Sequence, residues 1–155
     1  PPHQSSAASD VYKRQEGKVI GKHDGLMYYT LGQRKGLNIG GIKDGNDSPW
    51  YTLGKNLAKN ELIIGQGHDH PMLYADKLTC NQINWIAEEK PDLMATYQAK
   101  VRYRQESQIC KITQLDDSTY QVTFQEKQRA ITPGQSIVFY DGERCLGGGI
   151  ITDYE

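Results

Sequence analysis

Three cationic side chains alternate along one segment of the sequence. Lys100, Arg102 and Arg104 occupy every second position, and an extended strand projects alternate side chains to the same face. At about 3.3 Å per residue, neighbouring cations would stand about 6.6 Å apart, which is about twice the phosphate interval along one nucleic-acid strand. The row therefore predicts either an RNA-binding face or a solvated, charged surface.

Tyr103 lies inside this row and offers a ring that could stack on a base. Strict alternation, however, assigns Tyr103 to the opposite face, which is apolar and should pack in the core. The other members of that face are Ala95, Tyr97, Ala99 and Val101. The pattern thus predicts an inward ring beside a cationic outer face.

A second basic motif is the sequence GQRKG at residues 32–36. Gln33, Arg34 and Lys35 lie between two glycines, as cations do in phosphate-binding loops. The motif is not a Walker loop, because Lys35 is followed by glycine rather than by Ser or Thr. A phosphate contact and a turn that merely requires glycine both remain open.

Histidine and cysteine give weaker patterns. His23 and the HDH sequence at 68–70 offer few ligands, whereas zinc takes three or four with supporting contacts. We predict that these side chains cap turns and that the chain holds no metal. Cys80, Cys110 and Cys145 form no CxxC motif and are odd in number, which predicts buried structural thiols in a reducing compartment.

The elements that must position these residues are predicted to be strands. Eleven of the 16 glycines lie within residues 16–71, and each interior glycine costs a helix about 1 kcal/mol relative to alanine. Residues 50–53 and 61–64 are predicted to form a hairpin, and residues 31–35 could form one helical turn ended by Gly36.

The second half of the sequence alternates between apolar and polar residues. The TPGQ sequence at 132–135 suits a type II turn with glycine at its third position. Short strands at this spacing are typical of a small antiparallel β-barrel, so the fold class is predicted to be mainly β. The predicted strands are residues 95–104, 109–115, 120–124, 136–140 and 145–152.

Composition narrows the class of protein. The 155 residues include 18 Lys and Arg against 19 Asp and Glu, giving a net charge of -1. The absence of a run of about 20 apolar residues and of a signal-type start argues against a membrane protein and a secretory precursor, so we expect a cytoplasmic protein. Residues 1–15 carry little apolar periodicity and are predicted to be a disordered or non-native tail.

Several long motifs resemble the C-terminal part of the bacterial tRNA 2-thiouridylases, from residue 16 to the end. The motifs are GKVIGKHDGLMYYTLGQRKGLNIGG (17–41), PWYTLGKN (49–56), ELIIGQGHDHP (61–71), KVRYRQ (100–105) and TPGQSIVFYDGERCLGGGII (132–151). The resemblance implies a small glycine-rich central domain over residues 16–75. It also implies a C-terminal β-barrel over residues 76–155, similar to the second domain of elongation factors.

The resemblance also implies an activity for the whole enzyme. Such enzymes activate C2 of the wobble uridine in tRNAs for Lys, Glu and Gln with ATP and magnesium. They then deliver sulfur from a cysteine persulfide that a sulfur-donor protein supplies. The SGGVDSS loop and the two catalytic cysteine contexts of the family do not occur in these 155 residues, so we expect this fragment to hold no cofactor and to be inactive alone.

Individual roles transfer only where the motifs match. Arg102, Tyr103 and Gln135 match family residues that contact tRNA, and Lys100 and Arg104 flank the first two. The resemblance places Gln33, Arg34 and Lys35 near the catalytic half, as second-tier RNA or interdomain contacts. An alternative is a stand-alone barrel of the translation-factor type that binds RNA or protein without sulfur chemistry.

Overall fold

The computed structural model describes residues 11–14, 17–37, 48–86 and 89–155. These residues form mainly strands, which confirms the predicted fold class. The chain divides into two compact units, Pro1–Leu73 and Tyr74–Glu155. None of the helical segments in the described ranges is long and apolar enough to span a membrane.

The N-terminal unit contains a four-stranded sheet in the order β2-β1-β4-β3. The strands are β1 (Val11–Arg14), β2 (Val19–Lys22), β3 (Trp50–Asn56) and β4 (Glu61–Gln66). β3 and β4 pair antiparallel, which confirms the predicted hairpin. The small core beneath the sheet consists of Tyr12, Tyr29, Leu37, Leu62 and Ile64.

The predicted tail is wrong for Val11–Arg14, whereas residues 1–10 and 15 lie outside the described residues. β1 pairs antiparallel with β2 and parallel with β4. The Tyr12 side chain is buried, and its hydroxyl lies 3.0 Å from that of Tyr29. A four-residue segment has too few apolar residues to order itself, but two neighbouring strands supply its backbone hydrogen bonds.

The predicted helical turn at 31–35 is also wrong. Gly32 has a φ of +79° and donates its N–H to the carbonyl of Thr52, and the N–H of Thr52 donates to the carbonyl of Gln33. This segment therefore pairs with β3 instead of coiling on itself. The 3₁₀ turn of this region lies earlier, at Leu26–Tyr28.

The C-terminal unit is a closed barrel of six antiparallel strands in the order β10-β5-β8-β7-β6-β9, as the strand pattern predicted. The strands are β5 (Tyr74–Trp85), β6 (Tyr97–Lys100), β7 (Gln108–Gln114), β8 (Tyr120–Arg129), β9 (Ser136–Asp141) and β10 (Arg144–Tyr154). β5 was not among the predicted strands, although it has 12 residues and pairs with both β8 and β10.

Consecutive glycines allow β10 to approach its neighbours closely. A Cβ atom on Gly147 would stand 2.2 Å from the carbonyl oxygen of Asn84 in β5, and one on Gly148 would stand 2.6 Å from that of Ile137 in β9. Gly147 also has a φ of +145°, which side-chain-bearing residues rarely adopt. Glycine is therefore required where the barrel closes.

The cysteines divide into two kinds. Cys80 and Cys110 are buried in the barrel core. Burial raises the pKa of both thiols to about 12, and the nearby Cys80 adds to the effect on Cys110. Cys145 is exposed at the start of β10, so the prediction of a buried thiol is wrong there. The next residue of β10, Leu146, is the first of the strand to be buried in the core.

We expect iodoacetamide to alkylate Cys145 in the folded chain while sparing Cys80 and Cys110. The reagent reacts with the thiolate, and burial both raises the pKa of the two core thiols and blocks access to them. Peptide mass spectrometry after a timed reaction measures the modified fraction at each position. The same reaction in denaturant is the control and should label all three cysteines. Alkylation of Cys80 in the folded chain as fast as that of Cys145 would contradict the assignment.

Candidate nucleic-acid interface

The cationic row does not continue as a strand. β6 ends at Lys100, and residues 101–105 form a turn, so the predicted strand over 95–104 is wrong at both ends. The N–H of Val101 donates to Oε1 of Gln105 at 3.1 Å, and the N–H of Gln105 donates to the carbonyl of Arg102. Chain reversal therefore replaces strand alternation immediately after Lys100.

This 101–105 turn exposes the Tyr103 ring. The side chain is 95% exposed, whereas alternation predicted an inward, core ring. Val101, two residues earlier, is buried as predicted. Tyr103 does not share the inward face of Val101 because the backbone starts to reverse after Val101. The ring is therefore available for stacking.

Arg102 extends from the turn towards the end of β8. Its Nη2 donates to the carbonyl of Ala130 at 3.2 Å, and the same carbonyl accepts from Oγ1 of Thr132 at 2.9 Å. Partial burial lowers the pKa of Arg102, and the charge of nearby Arg129 lowers it further. A guanidinium remains protonated in proteins despite such shifts, so two positive charges lie close together at this place.

The TPGQ sequence forms the predicted turn. The N–H of Gln135 donates to the carbonyl of Thr132, and Gly134 has a φ of +91°, as the third position of a type II turn requires. The turn is tied to β10 because Gly134 donates to the carbonyl of Ile151 and Ile151 donates back to that of Gln135. The Gln135 side chain is exposed.

Barrel closure brings these distant segments together around one groove of about 280 Å³, called here the barrel groove. β6 and β9 pair antiparallel, with Lys100 opposite Val138, so the 101–105 turn and the TPGQ turn meet at the same end of the pair. The Lys100 ammonium lies 5.2 Å from the centroid of the Tyr140 ring. Polar and aromatic residues lining the groove include Lys100, Arg102, Tyr103, Gln135, Ser136 and Tyr140.

The structure thus brings four of the five predicted barrel residues together. Arg104 is exposed on the same turn but does not line the groove. Sequence reasoning missed Tyr140, Ser136 and Arg129. The available signals were weak: Ser136 directly follows the TPGQ sequence, and Arg129 precedes it by three residues, but the strand pairing that places Tyr140 beside Lys100 has no local signature.

The second-tier residues lie in the N-terminal unit. Gln33 has a structural role there, since its Oε1 accepts from the N–H of Thr30 at 2.9 Å and its Nε2 donates to the carbonyl of Lys35 at 2.7 Å. Arg34 and Lys35 are exposed. An open pocket of about 550 Å³ nearby is lined by Asp24, Tyr28, Tyr29, Gln33 and Gly36.

The histidines organise local backbone. The N–H of Gly25 donates to Nδ1 of buried His23, so Nε2 carries the ring proton and donates to the carbonyl of Asn60. Nδ1 of His70 accepts from the N–H of Met72. Among the residues that the structure describes, no group of three or more His, Cys, Asp or Glu side chains is arranged to hold a metal ion.

Comparison with protein families identifies both units. Residues 3–66 match the tRNA methyl transferase PRC-barrel domain, and residues 75–151 match the aminomethyltransferase beta-barrel domain. The first match begins within the segment that composition predicted to be a tail.

Curated relatives agree with both domain matches. The chain is 54% identical to the tRNA-specific 2-thiouridylase MnmA of Coxiella burnetii (strain CbuK_Q154), over 88% of the chain and 37% of the relative. The enzyme of the same name from Methylobacillus flagellatus is 56% identical over 88% of the chain and 38% of the relative. That from Tolumonas auensis is 53% identical over 94% of the chain and 39% of the relative.

The chain therefore spans less than two fifths of the length of these relatives. The two domain matches together cover nearly all of the chain, and the identities exceed one half across most of it. On these grounds the chain belongs to the bacterial tRNA-specific 2-thiouridylase family and corresponds to its C-terminal part.

Proposed function

We propose that this chain is the tRNA-binding portion of a tRNA-uridine 2-sulfurtransferase that makes 2-thiouridine at the wobble position. The observation that carries the proposal is the barrel groove, which brings Gln135 together with Arg102 and Tyr103, more than 30 residues earlier in the sequence. The relatives, named as tRNA-specific 2-thiouridylases, make tRNA the favoured ligand.

Each groove residue has a chemistry suited to RNA. Arg102, with the charge of Arg129 nearby, provides a guanidinium for phosphate oxygens. The exposed ring of Tyr103 can stack on a base or sugar. Gln135 offers an amide that can both donate to and accept from a ribose hydroxyl. Together these groups provide charge, stacking and hydrogen bonding at one place.

The remaining chemistry of the enzyme is proposed to reside outside these 155 residues. ATP and magnesium would activate C2 of uridine in a separate catalytic domain, and a sulfur-donor protein would supply the persulfide. The proposed substrates are tRNAs for Lys, Glu and Gln, and the proposed location of the enzyme is the cytoplasm. The raised pKa and burial of Cys80 and Cys110 support this division of labour, because a protonated, inaccessible thiol is a poor sulfur carrier.

Arg102→Ala should weaken tRNA binding and make it less sensitive to salt. When one phosphate contact is missing, binding releases fewer counterions. The slope of log affinity against log salt concentration is then smaller by about 0.7 to 0.9. Gln135→Ala should lower affinity with the slope unchanged, because a neutral amide releases no counterion. Fluorescence-anisotropy titrations of a labelled tRNA transcript at several salt concentrations measure both quantities.

The matched control for Arg102→Ala is Lys111→Ala. Lys111 is an exposed cation on β7 that does not line the barrel groove, so its loss changes net charge equally without removing a groove contact. Its affinity should stay close to that of the wild type. Wild-type affinity and slope in Arg102→Ala would show that the groove is not the binding site.

Tyr103→Ala should reduce tRNA affinity by about 1 to 3 kcal/mol, the typical contribution of one stacked aromatic ring. Tyr103→Phe retains the ring and should bind almost normally. Because the side chain is 95% exposed, neither change should alter the melting temperature. Met94→Ala, which removes a side chain that is 90% exposed in the same unit, provides the control. Equal affinities for Tyr103→Ala and Met94→Ala would argue against stacking.

The 155-residue chain alone should form no 2-thiouridine. Binding a tRNA does not create a carbon–sulfur bond, which requires an activated uridine and a persulfide nucleophile. The test incubates the chain with ATP, magnesium, a sulfur donor and tRNA, followed by mass spectrometry of the released nucleosides. A full-length relative is the positive control, and 2-thiouridine formed by the chain alone would refute the proposed division of labour.

A further inference from the structure

A partly buried amide bridge joins the 101–105 turn to the end of β8. Nε2 of Gln105 donates to Oε1 of Gln128 at 2.6 Å. Gln128 is 4% exposed and is one of three buried polar or charged residues in the described part of the chain, with His23 and Thr52. Burial of an amide costs free energy unless it is hydrogen-bonded, so this bridge must be made for the turn to lie where it does.

The bridge is part of a directional chain of hydrogen bonds. Oε1 of Gln105 accepts from the N–H of Val101, and Nε2 of Gln128 donates to the carbonyl of Glu126. Both ends of each amide are therefore engaged. Turning either amide over would place a donor against a donor or an acceptor against an acceptor, so these hydrogen bonds fix the orientation of both amides.

Arg102 also attaches the 101–105 turn to the end of β8, at the residue that directly follows the strand. Its Nη2 donates to the carbonyl of Ala130, which adopts a left-handed φ of +56° two residues beyond Gln128. Gln105 and Arg102 thus fasten the turn at two points, and Tyr103 lies between them with its ring in solvent. The exposed ring contributes little to the core, yet residues on both sides of it are fastened to β8 or to the residue that follows β8.

We propose that Gln105 and Gln128 are positioning residues that hold the 101–105 turn in its RNA-binding conformation. The inference rests on the proposed tRNA binding by the barrel groove. A turn that is already ordered does not have to be immobilised when RNA arrives, so less of the interaction free energy is spent on ordering Arg102 and Tyr103. Gln105 and Gln128 act through these two residues and need not touch the RNA.

Gln105→Met tests the proposal because methionine keeps the length of the side chain and removes both amide hydrogen bonds. The dissociation constant for a labelled tRNA transcript should rise about tenfold, the cost of ordering one or two long side chains on binding. The salt slope should not change, because Arg102 still reaches its phosphate once the turn is ordered. Gln108→Met is the control, since the Gln108 amide donates to the carbonyl of Glu106, two residues away. The affinity of this variant should match that of the wild type.

A double-mutant cycle separates positioning from general loss of stability. In an Arg102→Ala/Tyr103→Ala background, Gln105→Met should have no further effect on affinity, because the groups that it positions are absent. An equal loss of affinity in both backgrounds would overturn the proposal, as would wild-type affinity in Gln105→Met. Gln105→Asn keeps the amide but shortens it beyond reach of Gln128, and should give the same pattern if the methionine variant melts early.

Amide hydrogen exchange gives an independent readout. Exchange at Val101, whose N–H bonds to Gln105, should accelerate in Gln105→Met while exchange along β8 stays unchanged, and unchanged exchange at Val101 would overturn the proposal. If Arg102→Ala itself leaves tRNA affinity unchanged, the proposed function fails. If Arg102→Ala weakens binding and Gln105→Met does not, only the positioning role fails.

Discussion

The pairing of β5 with β10 is the constraint on which the C-terminal unit depends. β5 begins the unit and β10 ends it, so their hydrogen bonds close the barrel and leave none of its six strands with an open edge. Close approach of the two strands is possible because Gly147 and Gly149 present no Cβ atom to the facing backbone. Closure then seals an apolar interior that contains the largest buried side chains of the unit, such as Phe139.

Closure also creates the barrel groove. β9 lies between β10 and β6, and the TPGQ turn at its start is bonded to Ile151 of β10. The 101–105 turn at the end of β6 therefore lies beside the TPGQ turn at the start of the adjacent strand β9. Neither turn contains all of the groups that are proposed to contact RNA. The guanidinium and the exposed ring come from one turn and the amide from the other, so the closed barrel is needed to bring them together.

Polar side chains are unevenly distributed within the C-terminal unit. The core is apolar, and its two thiols are kept protonated by a pKa raised through burial. Partly buried side-chain hydrogen bonds instead cluster where the 101–105 turn meets the end of β8, through Gln105, Gln128 and the carbonyl of Ala130. Such bonding adds less to stability than apolar contact does, but it is directional. It therefore fixes the position of the turn more than it strengthens the barrel.

The sequence by itself determined the strand-rich class, the β3–β4 hairpin and the TPGQ turn, because each depends on neighbours in the chain: glycine spacing, alternation and a Pro-Gly pair. The sequence motifs also indicated the protein family. Tertiary structure alone decided that Val11–Arg14 forms a strand, that β5 has 12 residues and that the ring of Tyr103 is exposed. These features depend on partners that are distant in sequence, or on a chain reversal that the alternation of apolar and polar residues does not predict. The barrel groove is of this second kind, because strand pairing across the closed sheet, and no local pattern, brings Gln135 to Arg102.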